Sequence, residues 1–251
     1  MTKVILCGAN GRMGRVIAEI IEDRADMVIV AGVDKQPDQA IFPVYPHIGQ
    51  VEEEADCVID FSHPSLLEEL LEYAVEKNLS VVLCATGYSE EQLARVETAS
   101  KQIPVFRSAN MSLGVNLLID LAKKAANVLG SDFDIEIVEK HHNQKIDAPS
   151  GTAYMIADAI NEERDNRHHC VYDRQSRREK RDPSEIGIHA VRGGTIVGEH
   201  EVIFAGRDES ISIHHAITSR EVFAVGAVNA AGFLAGKPAG LYQMKDLIGD
   251  R

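Results

Sequence analysis

The first hundred residues of the chain switch regularly between two hydrophobic periods, and that alternation leaves few folds open. Residues 4–7 (Val-Ile-Leu-Cys) form a short, fully apolar run, and Met13, Val16, Ile17, Ile20 and Ile21 then recur at helical spacing. Residues 27–33 are a second apolar run. Residues 57–61 are a third, followed by Leu66, Leu67, Leu70, Leu71, Ala74 and Val75 on one helical stripe. Residues 80–84 and 103–106 are the fourth and fifth, and between them Ser89 and Gln92 have the spacing of a capping box. Strands that are apolar throughout are buried on both faces, which places helices on both sides of a parallel sheet. The expected fold of this half is α/β, a Rossmann-like doubly wound parallel sheet with right-handed crossovers.

Past residue 113 the pattern changes. Leu117, Leu118, Leu121, Ala125 and Leu129 mark a helix, and Phe133-Asp134-Ile135-Glu136-Ile137 alternates as a half-exposed strand. A further helix is expected after Ser150. Residues 161–184 are highly charged and rich in Arg, and are expected as a long exposed loop. Residues 186–192, 196–204 and 211–218 read as antiparallel strands, with Gly193-Gly194 as a hairpin turn between the first two. The sum is an α+β module with a mixed open sheet. Residues 222–234 are apolar nearly all round, which describes a buried helix returning to the first half, with Gly236 as its C-cap.

The 251 residues carry 39 acidic and 26 basic side chains, a net charge of −13, and 45% are hydrophobic. The hydrophobic share supports a sizeable core. The acidity argues against nucleic acid or an anionic membrane as partner, since both require a basic surface. An anionic ligand would need a local positive site. Aromatic residues are 5% and Trp is absent, so base-stacking platforms are not expected. Cys7, Cys57, Cys84 and Cys170 form no CxxC pair, and neither a disulfide scaffold nor a metal site is expected. No leader-like segment precedes the first strand, and no apolar stretch reaches the roughly 20 residues of a membrane span. A cytoplasmic location is expected.

Two segments carry chemistry. Gly8-Ala9-Asn10-Gly11-Arg12-Met13-Gly14 joins the first strand to the first helix with GxxGxxG spacing, a variant of the dinucleotide fingerprint. The glycines permit a tight turn and close backbone approach, and the helix N-terminus offers amides to a pyrophosphate. Asp34 ends the second strand about 20 residues beyond Gly14, where a carboxylate accepts bonds from ribose hydroxyls. Lys35 beside it is a cation for the 2′-phosphate of NADP, and Arg12 is a second candidate. NADH is the expected cofactor, with NADPH tolerated.

The second segment runs from Glu139 to Thr152. His141, His142 and Lys145 crowd the end of a strand. Imidazole titrates near neutral pH, and a lysine among cations is a candidate general acid. Pro149-Ser150-Gly151-Thr152 starts a helix whose amides, with the Ser150 and Thr152 hydroxyls, form an anion cradle suited to a carboxylate. Adjacent strand residues point to opposite faces, which argues against a zinc site at His141 and His142. Taken alone, each element is also an ordinary strand end or helix cap.

Together with Asp60-Phe61-Ser62, Ala85-Thr86-Gly87-Tyr88, residues 108–116, 191–200 and 240–244, these segments resemble the 4-hydroxy-tetrahydrodipicolinate (dihydrodipicolinate) reductase family over essentially the whole chain. The string His-His-x-x-Lys-x-Asp-Ala-Pro-Ser-Gly-Thr-Ala is its most specific part. The resemblance implies a dinucleotide-binding domain at residues 1–112, a substrate-binding and tetramerisation domain at 113–220, and a C-terminal return to the first domain at 221–251. It implies reduction of a cyclic dicarboxylate by NAD(P)H in the diaminopimelate route to lysine, in a homotetramer. By the same resemblance His141 and Lys145 serve in proton donation, His142 binds substrate, and Gly151 and Thr152 hold a carboxylate. Cys84, Ala85 and Thr86, with Ser108, Ala109, Asn110 and Met111, line the nicotinamide side. The family more often has Gly-Thr at Cys84-Ala85, so one hydroxyl near the cofactor is lost. The competing readings are another nicotinamide-dependent dehydrogenase of amino-acid metabolism and a non-catalytic NADH-binding redox sensor.

Overall fold

The computed structural model describes residues 1–36 and 41–249. The chain divides into two compact units, one formed by Met1–Ser112 with Glu221–Arg251 and the other by Leu113–Arg220. The N-terminal part supplies β1 (Thr2–Cys7), α1 (Arg12–Glu22), β2 (Met27–Val33), β3 (Val44–Tyr45), β4 (Cys57–Asp60), α2 (Leu67–Lys77), β5 (Ser80–Leu83), α3 (Glu90–Ser100) and β6 (Pro104–Arg107). The second unit contains α4 (Leu113–Leu129), β7 (Asp134–His141), α5 (Gly151–Glu163), β8 (His169–Val171), β9 (Glu185–Arg192), β10 (Gly198–Ala205) and β11 (Ser210–Ile217). The C-terminal part adds α6 (Glu221–Leu234), β12 (Gly240–Tyr242) and α7 (Met244–Gly249) to the first unit.

The first unit is built on a parallel sheet of order β12-β6-β5-β4-β1-β2-β3. From β3 to β6 this is the strand order of the doubly wound dinucleotide fold. The central strands are buried along their length, as their uninterrupted apolar runs require. The short strands β3 and β12 lie at the edges, and no apolar run in the sequence announces them. The Ser89–Gln92 capping box forms at the start of α3. Helix α6 buries Ala224, Gly226, Ala227, Ala230 and Ala231. These small side chains let its backbone lie close to its neighbours, and Gly226 sits directly against the Met111 carbonyl.

The second unit is a mixed sheet of order β11-β10-β7-β9-β8. Its core face joins Ile135 and Ile137 of β7 to Ile186 and Ile188 of β9, to Val202 and Phe204 of β10, and to α4 and α5. Strand β7 takes the centre because its isoleucines pack with both neighbours. This overturns the expected hairpin at Gly193-Gly194. Strands β9 and β10 are not paired with each other; β7 lies between them, parallel to β9 and antiparallel to β10. The Gly193 amide donates to the His141 carbonyl (2.9 Å) and the Asn143 amide to the Gly194 carbonyl (3.2 Å), so the turn wraps around the end of β7.

The charged segment 161–184 is not a free loop either. Helix α5 enters it, and β8 adds a parallel edge strand beside β9. Arg174 and Arg177 then pair with the buried Glu185, and Arg181 bridges Asp134 and Glu136 at 2.8 and 2.9 Å. A buried carboxylate requires such partners, and they pin the segment to the sheet. Among the described residues, no helix is long and apolar enough to cross a membrane.

Two glycines make the turn after β1. Gly8 has φ +77°, and a Cβ there would lie 2.8 Å from the Phe61 carbonyl oxygen. A Cβ on Gly14 would overlap the Gly8 carbonyl and lie 2.6 Å from that of Ala9. Gly14→Ala should therefore cost about 1–3 kcal/mol, as overpacking against rigid backbone does. Thermal melts are expected to show the loss, and an unchanged melting temperature would refute this packing argument.

Candidate active site

All strands of the first sheet run the same way, so the loops that follow them gather at one edge. Gly8, Ala9, Asn10, Gly11, Arg12 and Met13 follow β1 and open α1. The Gly8 and Ala9 amides donate to the Val33 carbonyl at 2.8 and 3.4 Å, which fastens the turn to the end of β2. Gly11 caps α1 without a side-chain hydrogen bond, and the first turn of the helix holds no acidic residue. The leading amides of α1 and the exposed Arg12 thus present positive character, which fits a pyrophosphate.

Asp34 sits just past β2. Its carboxylate accepts from the Asn10 amide (3.0 Å) and the Gln36 amide (3.2 Å), and the Asn10 side chain donates to the Gln36 carbonyl. The acid is thereby fixed beside the glycine turn, with Lys35 exposed next to it. Cys84, Ala85 and Thr86 follow β5, and the Cys84 amide donates to the Asp60 carbonyl (2.9 Å). Burial, with the nearby Asp60, pushes the Cys84 thiol up, so it stays protonated and unreactive. Ser108, Ala109, Asn110 and Met111 follow β6, and the Asn110 side-chain oxygen accepts from the Ser112 amide (2.9 Å).

The residue reading gave Asp60 no role at this edge. It is buried at the end of β4, accepts from Ser62 Oγ (2.5 Å) and the Ser62 amide (2.9 Å), and lies 3.5 Å from the Tyr88 hydroxyl. Burial raises its pKa, against the pull of Ser62. The Arg107 guanidinium lies 5.9 Å from the Tyr88 ring centroid.

The second cluster grows from the period of β7. Glu139 and His141 share its core face with Ile135 and Ile137, whereas Lys140 points the other way and pairs with Glu199 at 2.9 Å. The registers set His200 of β10 opposite Glu139, and Arg192 of β9 opposite His141. Glu139 is 0% exposed and accepts from Arg192, His141 and the Ser150 amide. Burial would raise its carboxyl, but the hydrogen bonds from Arg192 and His141 hold it below the usual range. Burial lowers His141, against the upward pull of Glu139, and pushes His200 down to about 4.

Lys145 Nζ lies 2.9 Å from Asp147, and Arg220 Nη2 lies 3.5 Å from His142 Nε2. Gly151 and Thr152 open α5, directly after the Ser150 cap. Ser150 differs from the expectation of a ligand donor. Its hydroxyl is buried, accepts from the Ala153 amide (3.2 Å) and lies 2.8 Å from His200 Nε2. Its amide is given to Glu139 at 3.0 Å. Ser150 thus caps α5 from inside, and Gly151 and Thr152 follow it in the first turn. Glu139, Arg192, His200 and Arg220 had no assigned role in the sequence. For Glu139 the signal was its place two residues before His141 on an alternating strand.

Hydride chemistry needs a dinucleotide cradle and a proton source, and a chain that carries both falls in the class of NAD(P)H-dependent oxidoreductases. The family descriptions "Dihydrodipicolinate reductase, N-terminus" and "Dihydrodipicolinate reductase, C-terminus" match residues 2–111 and 114–248, and the chain belongs to that family. The 4-hydroxy-tetrahydrodipicolinate reductase of Caldanaerobacter subterraneus subsp. tengcongensis is 56% identical, over 99% of this chain and 98% of its own. That of Clostridium tetani is 51% identical, over 99% and 97%. The fold is also that of a dipicolinate-bound dihydrodipicolinate reductase from Paenisporosarcina sp. TG-14, with a TM-score of 0.82, 24% identity and 97% of both chains covered.

The depressed imidazoles make stability pH-dependent. His200 titrates near 4 in the folded chain against an ordinary 6.5, and burial pushes His141, His168 and His215 in the same direction. Between those values the unfolded chain binds protons that the folded chain refuses, so stability is full above pH 6.5 and falls as pH drops toward 4. His200 alone accounts for a loss on the order of 3 kcal/mol. Urea unfolding across this range should show the decline, and His200→Gln should make it shallower. A flat wild-type profile would refute the assignment.

Proposed function

We infer that the chain catalyses the NAD(P)H-dependent reduction of 4-hydroxy-tetrahydrodipicolinate to tetrahydrodipicolinate, a step of the diaminopimelate route to lysine. The observation that carries this reading is the hydrogen-bonded cluster that joins His141, through Glu139, to Arg192 and to the Ser150 start of α5, which supports proton donation beside a helix N-terminus suited to a carboxylate. A redox sensor would have no use for that cluster.

When bound, the reduced nicotinamide supplies the hydride. The chain supplies binding and the proton. Gly8, Ala9, Asn10, Gly11, Arg12 and Met13 hold the pyrophosphate side of the cofactor. Asp34 accepts from the adenine ribose and favours NADH, while Lys35 receives the 2′-phosphate when NADPH binds. Cys84, Ala85 and Thr86, with Ser108, Ala109, Asn110 and Met111, line the nicotinamide side. The amides of Gly151 and Thr152 hold one substrate carboxylate, oriented by the Ser150 cap. His142 binds the substrate too, with Arg220 adding positive charge beside it. His141 and Lys145 form the proton-donating pair. The enzyme acts in the cytoplasm as a homotetramer, as the family resemblance implies.

The deciding experiment follows NADH and NADPH consumption with substrate made freshly from pyruvate and aspartate semialdehyde. Both cofactors should be consumed, NADH with the lower KM, and consumption of neither would overturn the reading. Lys145→Ala should lower kcat by about 100-fold or more while dipicolinate still binds. Unchanged turnover would remove Lys145 from the proton step. Lys35→Ala should raise the KM for NADPH by about 5- to 10-fold and leave that for NADH unmoved. Equal effects on the two cofactors would sink the role given to Lys35.

A further inference from the structure

Glu139 stands where the hydrophobic face of β7 ends and the chemistry begins. Its two carboxylate oxygens are filled from three directions. Oε2 accepts from His141 Nδ1 at 2.6 Å and from Arg192 Nη1 at 2.8 Å. Oε1 accepts from Arg192 Nη2 at 2.7 Å and from the Ser150 amide at 3.0 Å. A carboxylate kept ionised by a bidentate guanidinium is an acceptor only. His141 must therefore carry its hydrogen on Nδ1, which leaves Nε2 as the nitrogen that exchanges protons.

The ring is held on its other sides as well. His200 packs edge-on against it at 5.2 Å between centroids. Across from Nε2 lies Gly198, where a Cβ would come within 3.2 Å of that nitrogen. Ser150 Oγ joins His200 Nε2 to the first turn of α5. Imidazole, carboxylate and helix N-terminus thus form one network.

We propose that Glu139 is a positioning residue for the reduction, a single buried carboxylate that fixes the His141 imidazole through Nδ1 and the anion cradle of α5 through the Ser150 amide. The proposal rests on the reading of His141 as a proton donor. In the donating step the proton leaves protonated His141 from Nε2 for the substrate. The Nδ1–H bond to Glu139 stays intact, and the carboxylate takes up no proton. The titratable and charged groups that face His141 are Glu139 on its own strand, Arg192 from β9, His200 from β10, and Lys145 with Asp147 from the loop after β7. Of these, Glu139 raises the imidazole pKa, while Lys145 and Arg192 lower it.

The test is Glu139→Gln. The amide oxygen can still receive the Ser150 amide, but the new NH2 group faces His141 Nδ1 and forces the hydrogen onto Nε2. Expected are a fall in kcat of about 100-fold or more, a limb of the pH–rate profile moved to lower pH, and dipicolinate affinity changed by less than about tenfold. A kcat within about threefold of wild type with an unmoved limb would overturn the proposal. The variant strips Arg192 of its partner, so a second measurement does not depend on its folding. Nitrogen-15 NMR of the wild-type imidazoles at neutral pH should show His141 with Nδ1 protonated and a bond from that hydrogen to a carboxylate. An Nε2–H tautomer in the wild type would overturn the proposal. If the wild type oxidised neither cofactor, the functional reading would fall, and the tautomer would still decide whether Glu139 holds His141.

Discussion

An ionised carboxylate taken out of water costs roughly several kcal/mol unless a cation and further donors replace the lost hydration. Glu139 is in that position, at 0% exposure, and the second unit is arranged around the solution. Arg192 reaches it from β9 with both terminal nitrogens, and the cap of α5 reaches it with a backbone amide. Moving any one of the three elements would leave a charge without its partner. The ends of β7 and β9 and the start of α5 are therefore tied to a common point, and the groups suited to proton transfer and anion binding sit on those ends.

Asp60 in the first unit shows what happens without the cation. It too is a buried acid at the end of a central strand, but its donors are Ser62 and, at longer range, Tyr88. Burial wins there and its pKa rises, whereas at Glu139 the guanidinium and imidazole win and it falls. Two carboxylates of similar burial are pushed in opposite directions by their partners. Asp60 organises the Phe61-Ser62 turn, whose carbonyl closes on Gly8, and so helps to shape the loop cluster at the carboxyl edge of the sheet.

What the sequence disclosed follows from how local each cause is. The strands of the first sheet, the glycine turn and the Ser89 cap depend on neighbours a few residues away, so period and spacing reveal them. Strands β3 and β12 are too short for a period, and they exist because an open sheet edge was available to pair. The Gly193-Gly194 turn looks like a hairpin because nothing in those residues says that β7 lies between the flanking strands. Arg181 reads as part of a charged loop until the fold brings Asp134 and Glu136 to it across some 45 positions of chain. The same holds for the site. The string from His141 to Thr152 was legible because it is contiguous. Arg192 and His200 arrive from other strands, where only the register places them, and Arg220 comes from the segment between β11 and α6. Ser150 shows the opposite case: a cap residue and a ligand donor look alike in sequence, and its partners here are the Ala153 amide and His200.

The net charge of −13 gains its meaning from this geometry. At physiological ionic strength a surface charge is screened beyond about 8 Å, so the overall acidity does little to an anion already inside a site. What decides binding there is the handful of groups within contact distance. In the second unit the sheet sorts those groups by face. Lys140 is turned to the far side and neutralised by Glu199, and Arg192 is consumed by Glu139. His142, Lys145 and Arg220 remain, with the leading amides of α5. Only Lys145 and Arg220 among them are permanent cations, and the Lys145 ammonium is already shared with Asp147. The helix amides carry no net charge to be repelled or titrated, and their geometry is set by the Ser150 cap. In the proposed reading, an acidic chain holds a small dianion through fixed backbone dipoles at the start of α5, with few full charges beside them.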